Sequence, residues 1–161
     1  IHPQKQTRNK TMKRILLMAT MALFTFQSQA QSADDITGTW WTYHDDKKSG
    51  QVEVYKYKDS YRGRIVHVVD NKNPDGTSPK LDNFNPDESK RSRVIQGMRV
   101  MIDMRWDADD KEWSGGQIYD TKSGNTYDCY AYLQEDGSLY FKGYLLGIRF
   151  IGRSTSWTRV E

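Results

Sequence analysis

Residues 112–145 read EWSGGQIYDTKSGNTYDCYAYLQEDGSLYFKGYL. Three runs in which apolar or aromatic residues alternate with polar ones, Glu112 to Tyr119, Thr126 to Leu133 and Leu139 to Leu145, are separated by two short turn clusters. Asp120 to Asn125 carries Ser123-Gly124, and Glu135-Asp136-Gly137 follows the second run. Glycine supplies a positive φ at no steric cost, and Asp and Asn bond their own backbone two residues on, so each cluster predicts a hairpin between antiparallel strands. The same grammar extends outward. Val100 to Trp106 precedes the stretch through Asp107-Ala108-Asp109-Asp110, and Ser154 to Val160 follows it. Further upstream lie Gly38 to Tyr43, then Gln51 to Tyr57 with Val52 and Val54 alternating against Glu53 and Tyr55, then a Lys58-Asp59-Ser60 turn into Tyr61 to Val69. No segment sustains a 3.6-residue period. The prediction is an all-β chain: a small antiparallel up-and-down β-barrel of about eight strands, because closing such a meander removes its edges. A β-sandwich is the alternative that strand spacing leaves open.

The first thirty residues follow different rules. Met12 begins an export-signal pattern, with Lys13 and Arg14 as the basic segment, Ile15 to Phe26 as the apolar one, and Ser28 and Ala30 as the small residues before a cut after Ala30. Residues 1–11 read as an upstream start-site artefact, 12–30 as a signal peptide and 31–161 as one domain, exported to the periplasm or beyond. The apolar run is too short to span a bilayer. The leader holds five basic residues (Lys5, Arg8, Lys10, Lys13, Arg14) and no acid; taking them from the 24 in the sequence leaves 19 against 21 acids, a net charge of −2. The isoelectric point of 8.9 is therefore a property of the leader, and no nucleic-acid partner is expected. A membrane-spanning barrel is disfavoured by Glu53, Lys56, Lys142 and Arg149 among the strand positions and by a mean hydropathy of −0.87. Cys129 is the sole cysteine, so packing alone must hold the domain.

One connection departs from the pattern. Between Asp70 and about Arg93 the phrase D-N-x-N-P-D occurs twice, as DNKNPDG from Asp70 and DNFNPDE from Asp82. Pro74, Pro79 and Pro86 all fall here, with Leu81 and Phe84, which argues for an ordered cover over a flexible linker. Connections this long are functional or disordered. Asn71, Asn73, Asp75, Gly76 and Asp82 also match the spacing of a calcium loop, in which oxygens at the first, third and fifth places face one ion. The simpler reading is a tight Asn-Pro-Asp-Gly turn. No other cofactor is indicated. Lys90, Arg91 and Arg93 end the insert as a basic cluster for a ligand carboxylate or phosphate, or for nearby acids.

Gly38-Thr39-Trp40 opens the first strand and Trp157-Thr158-Arg159 closes the last. If these strands pair, an arginine lies over a Trp face and plugs one barrel end. A G-x-W opening with a late Arg resembles the calycin group, meaning lipocalins, fatty-acid-binding proteins and avidins. A closer resemblance covers nearly all of 31–161. The stretches GTW, YRGRIV, NPDG, NPDESKRSR, Ile-Gln-Gly-Met at 95–98, EWSGGQIYD, SGNTY, FKGYL and GRSTSWTRV, in that order, resemble the exported bacterial domain-of-unknown-function family 2147. The resemblance implies a small exported calycin-like barrel and no activity, so it transfers no catalytic residue.

The residues assemble no catalytic constellation: there is no G-x-S-x-G, H-E-x-x-H or CxxC, and His44 and His67 lie on different strands. Cys129 reads as a buried small hydrophobe. The expectation is a non-enzymatic binding module. A small apolar or amphipathic ligand enters one open end, with Asp70, Asn73, Asp75, Phe84, Arg91, Arg93, Tyr119 and Asp120 at the lid or rim. Gly38, Trp40, Trp157 and Arg159 close the other end. The alternatives are a structural or interaction protein of the cell envelope and a weak calcium loop at 71–82.

Overall fold

The computed structural model describes residues 31–161; the signal peptide expected at 12–30 and the stretch 1–11 lie outside the described residues. Eight strands follow one another: β1 (Gly38–His44), β2 (Lys47–Tyr57), β3 (Ser60–Val68), β4 (Arg99–Asp107), β5 (Glu112–Asp120), β6 (Asn125–Leu133), β7 (Leu139–Leu145) and β8 (Ile148–Arg159). Each pairs antiparallel with the next, and β1 pairs with β8 through Trp40↔Arg159 and Trp41↔Thr158, so the sheet is a closed barrel and not a sandwich. Two strands run further than the alternation suggests. β2 begins at Lys47 because Asp45 and Asp46, at φ 48° and 61°, form a two-residue hairpin turn of the kind that requires positive φ at both places. β8 begins at Ile148 for the same reason, with Leu146 and Gly147 at φ 56° and 70°. Lys47 to Gly50 is thus the start of a strand, whereas Leu145 ends β7 and Leu146-Gly147 are the turn itself.

One half of the barrel is packed. Trp40, Val54, Met101, Met104, Trp113, Cys129, Ala131 and Leu139 are buried to 1% exposure or less. Cys129 sits 3.3 Å from the Met104 sulfur, and burial pushes its thiol pKa well up, as for an inert core residue. A 3₁₀ turn, Ala33–Ile36, lies across this end. The Trp40 indole donates to the Ile36 carbonyl and the Trp113 indole to the Ala33 carbonyl, each at 2.8 Å. Tyr61 donates to Asp34 at 2.6 Å. Arg159 donates to the Thr37 and Asp35 carbonyls while its guanidinium rests 4.2 Å from the centre of the Trp40 ring. Gly38, at φ 122°, makes room for it: a Cβ there would stand 2.7 Å from Arg159 Nη1.

The opposite end carries the β1–β2, β5–β6 and β7–β8 turns and the connection from β3 to β4, residues 69–98, which is ordered. Leu81 and Val94 bridge, flanked by Asp82 N–H to Arg93 O at 2.9 Å and Ile95 N–H to Lys80 O at 3.1 Å. A single 3₁₀ turn, Glu88–Lys90, is capped by the Asp87 side chain. Among the described residues no helix is long and apolar enough to cross a membrane.

Candidate functional site: the open barrel end

The packing stops halfway. Above Trp157 and Phe141, which stack with ring centres 4.4 Å apart and planes 2° from parallel, the interior opens into a cavity of about 1020 Å³. Val52, Ile65, Val100 and Ile118 wall it, and Ile95 enters from the insert. Glycine makes part of this space. Gly143 shares the inward face of β7 with Phe141 and lines the cavity, where a Cβ would stand 3.3 Å from that of Tyr127; Gly50, inward beside Val52 on β2, answers to the backbone instead, since a Cβ there would stand 2.5 Å from the His67 carbonyl oxygen. The volume lies at the upper end of the range for small-molecule sites, and an apolar floor with a polar mouth is their usual chemistry.

The mouth is predominantly basic. His44, Lys47, Lys48, His67, Lys80, Lys122 and Arg153 line it or the adjoining wall, against Asp70 and Asp120. Lys80 reaches the Asp70 carbonyl at 3.2 Å and its carboxylate at 3.8 Å. Lys122 is exposed by surface area, yet enough protein surrounds its ammonium for desolvation to lower its pKa; Lys80 lowers it further, and Asp120 and Asp45 oppose the shift. A second cavity of about 300 Å³ lies beneath the insert, lined by Asn73, Pro74, Leu81 and Phe84, and it shares Asp70, Lys80, Ile95, Thr121 and Lys122 with the first.

The insert is anchored to the barrel by one fully buried carboxylate. Asp82 accepts from Tyr119 O–H at 2.6 Å, Asn85 Nδ2 at 2.7 Å and Arg93 Nη2 at 3.0 Å. Burial, followed by the bond to Asp82, pushes the Tyr119 phenol up to about 12. A second contact joins Gly124, in the β5–β6 turn at φ 74°, to the Phe84 carbonyl; a Cβ at 124 would overlap that oxygen.

The sequence-selected residues are distributed as follows. Asp70, Tyr119 and Asp120 line the main cavity. Asn73 and Phe84 line the smaller one, and Phe84, 56% exposed, does not reach the main chamber; Ile95 does. Asp75 caps its own turn, accepting from the Thr77 N–H and hydroxyl. Arg91 and Arg93 are engaged within the insert: Arg91 bonds the Asn85 carbonyl and Glu88, and Arg93 bonds Asp82. Lys90 pairs with Asp87, whose pKa it lowers to about 2 together with Ser89. The four oxygen-bearing side chains of the calcium spacing are likewise engaged. Asn71 accepts from Lys80 N–H, and Asn73 from Leu81 N–H and Asn83 Nδ2, while Asp75 and Asp82 are occupied as described. Among the described residues no group of three or more His, Cys, Asp or Glu side chains is placed to hold a metal ion. Sequence reading missed Lys80, Lys122 and Arg153 at the mouth. The detectable signal for the cavity was glycine at the inward strand position 143, beside Phe141.

No curated protein matches the chain significantly. Among solved structures, the barrel is similar to HP1028 from the human pathogen Helicobacter pylori, described as belonging to the lipocalin family, with a TM-score of 0.65 and 21% identity over 78% of this chain and 82% of that one. At that identity the likeness is one of fold. The sequence matches a bacterial family from the first residue of β1 to the last of β8, residues 38–159, and the chain belongs to that family, described as "Uncharacterized protein conserved in bacteria (DUF2147)".

Proposed function

We propose that the protein is a non-enzymatic binding protein that takes a small apolar or amphipathic molecule into the open end of its barrel, and that it works outside the cytoplasm. One observation carries the reading: a cavity of about 1020 Å³ with an apolar floor above a fully packed lower half. A barrel that needed only stability would fill that space, since voids cost packing energy. The lipocalin-like fold supports it as an architecture that encloses ligands. The leader pattern at 12–30 supports export. The test is titration of the purified protein with a neutral apolar fluorophore, alongside Ile118→Trp, which puts an indole into the chamber. The wild type binds, and the variant loses at least about tenfold in affinity while keeping its melting temperature. Equal binding by both proteins, or none by the wild type, removes the reading.

A second reading, an envelope interaction protein, is favoured by one surface feature. Leu146 and Phe150, 88% and 83% exposed, stand with Leu145 and Ile151 at the β7–β8 hairpin. Apolar side chains clustered this openly are more common at contact sites than on inert surface.

A further inference from the structure

Building on the binding reading above, we propose that Lys80 and Lys122 form a receptor for an anionic head group, a carboxylate or a phosphate, on an amphiphile whose apolar part occupies the main chamber. The two lysines come from the insert and the β5–β6 turn, and both belong to the wall shared by the two cavities. A group held there sits at the apolar chamber's polar boundary. Their charges are incompletely answered within the protein. Lys80 donates to the Asp70 carbonyl at 3.2 Å but has only a long ion pair with its carboxylate at 3.8 Å, and among the described residues neither Lys122 nor Arg153, which lines the same mouth, forms an ion pair. Asp120 and Asp45 attract Lys122 and Lys80 repels it, yet desolvation leaves its charged form disfavoured on balance, a tension that persists without a ligand. An anion between them relieves both the repulsion and the desolvation, and it forms charge-assisted hydrogen bonds to ammonium groups. A cationic head would add repulsion, and a neutral one would leave the tension in place.

The experiment compares probes of one chain length below their micellar concentrations: dodecanoate, dodecyl phosphate, dodecanol and dodecyltrimethylammonium, each displacing a neutral apolar dye. Inorganic phosphate without a tail is a fifth arm. Both anionic amphiphiles bind about tenfold or more tighter than dodecanol, the quaternary ammonium binds weakest, and inorganic phosphate displaces nothing. The ratio of dodecanoate to dodecyl phosphate affinity identifies which head group the site prefers. In Lys122→Gln and Lys80→Gln the anion-to-alcohol affinity ratio, measured within each variant, falls towards one, and Lys122→Arg retains it. Equal affinity for dodecanol and the anions in the wild type, or an undiminished ratio in both Gln variants, overturns the inference while leaving the cavity reading standing. Failure of every tailed probe, dodecanol included, overturns both.

Discussion

Replacing Asp82 with alanine tests whether the insert is a docked cover held by one buried carboxylate. Asp82 is fully buried and its oxygens accept from Tyr119, Asn85 and Arg93 at 2.6, 2.7 and 3.0 Å. Breaking a buried charged pair by removing one partner costs about 3–5 kcal/mol, most of it from the groups left behind. The Arg93 side chain is 46% exposed and regains water, which puts the expected loss at about 3 kcal/mol, at the lower end of that range. For a domain of this size, that lowers the melting temperature by about 10 °C. The loss is also local. The Asp82 N–H, bonded to Arg93 O, and the Ile95 N–H, bonded to Lys80 O, lose exchange protection before the amides of β5 and β6 do. Asp82→Asn keeps the volume and one accepting oxygen but turns an amide donor either towards Tyr119 or towards Asn85 and Arg93, so it recovers only part of the loss. The assays are thermal melting and amide hydrogen exchange. A melting point within about 2 °C of wild type, with unchanged protection across 80–95, would refute the idea that this carboxylate holds the insert down.

Three further outcomes are expected. Gly124→Ala forces a side chain into left-handed backbone and onto the Phe84 carbonyl, costing about 1–3 kcal/mol in chemical denaturation and raising exchange at 82–86. The Tyr119 phenol is raised to about 12 in the fold from an ordinary value near 10; the protonated form is the one the fold favours, so its contribution is fully present below pH 10 and is lost as pH rises towards 12. Tyr119→Phe therefore flattens the stability profile across that interval, leaving the part due to Tyr61, whose pKa is raised by burial and Asp34, and to Tyr130 and Tyr144, raised chiefly by burial. The third concerns calcium at 71–82. A cation there must displace the hydrogen bonds already made to Asn71, Asn73, Asp75 and Asp82, so neither EDTA nor millimolar calcium shifts the melting temperature; a calcium-dependent rise would establish the site.

What could be read from the sequence was local. The hairpins at Ser123-Gly124 and Asp136-Gly137 announce themselves because turn chemistry is confined to adjacent residues, and eight strands joined by such turns leave few topologies other than a closed meander. The plug at the packed end was half legible. Trp40 and Arg159 mark it, but the turn Ala33–Ile36 gains its role only from the Trp113 indole on β5, a partner no local pattern indicates. The basic residues at the mouth went unnoticed beside a more conspicuous set for a related reason. Arg91 and Arg93 form the conspicuous cluster, and clusters of that kind carry their own acids: Glu88 and Asp82 neutralise them where they stand. Lys80 and Lys122 are isolated in sequence and unremarkable there, and only the docking of the insert beside the β5–β6 turn brings them to one wall.

The same asymmetry explains how the cover and the cavity depend on each other. Tyr119 belongs to both: its hydroxyl anchors Asp82 of the insert, and the residue lines the chamber. Ile95 likewise links them, since its backbone is bonded to Lys80 while the residue lines both cavities. Filling the chamber therefore presses on the groups that hold the insert in place, and releasing the insert removes one apolar wall and one of the two lysines from the site. Asp82→Ala should for this reason weaken binding of an anionic amphiphile more than that of a neutral one. Both lose the Ile95 wall, but only the anion loses Lys80. If the two fall by the same factor, the insert serves the cavity as a wall alone, and the contribution of Lys80 to head-group selection is excluded.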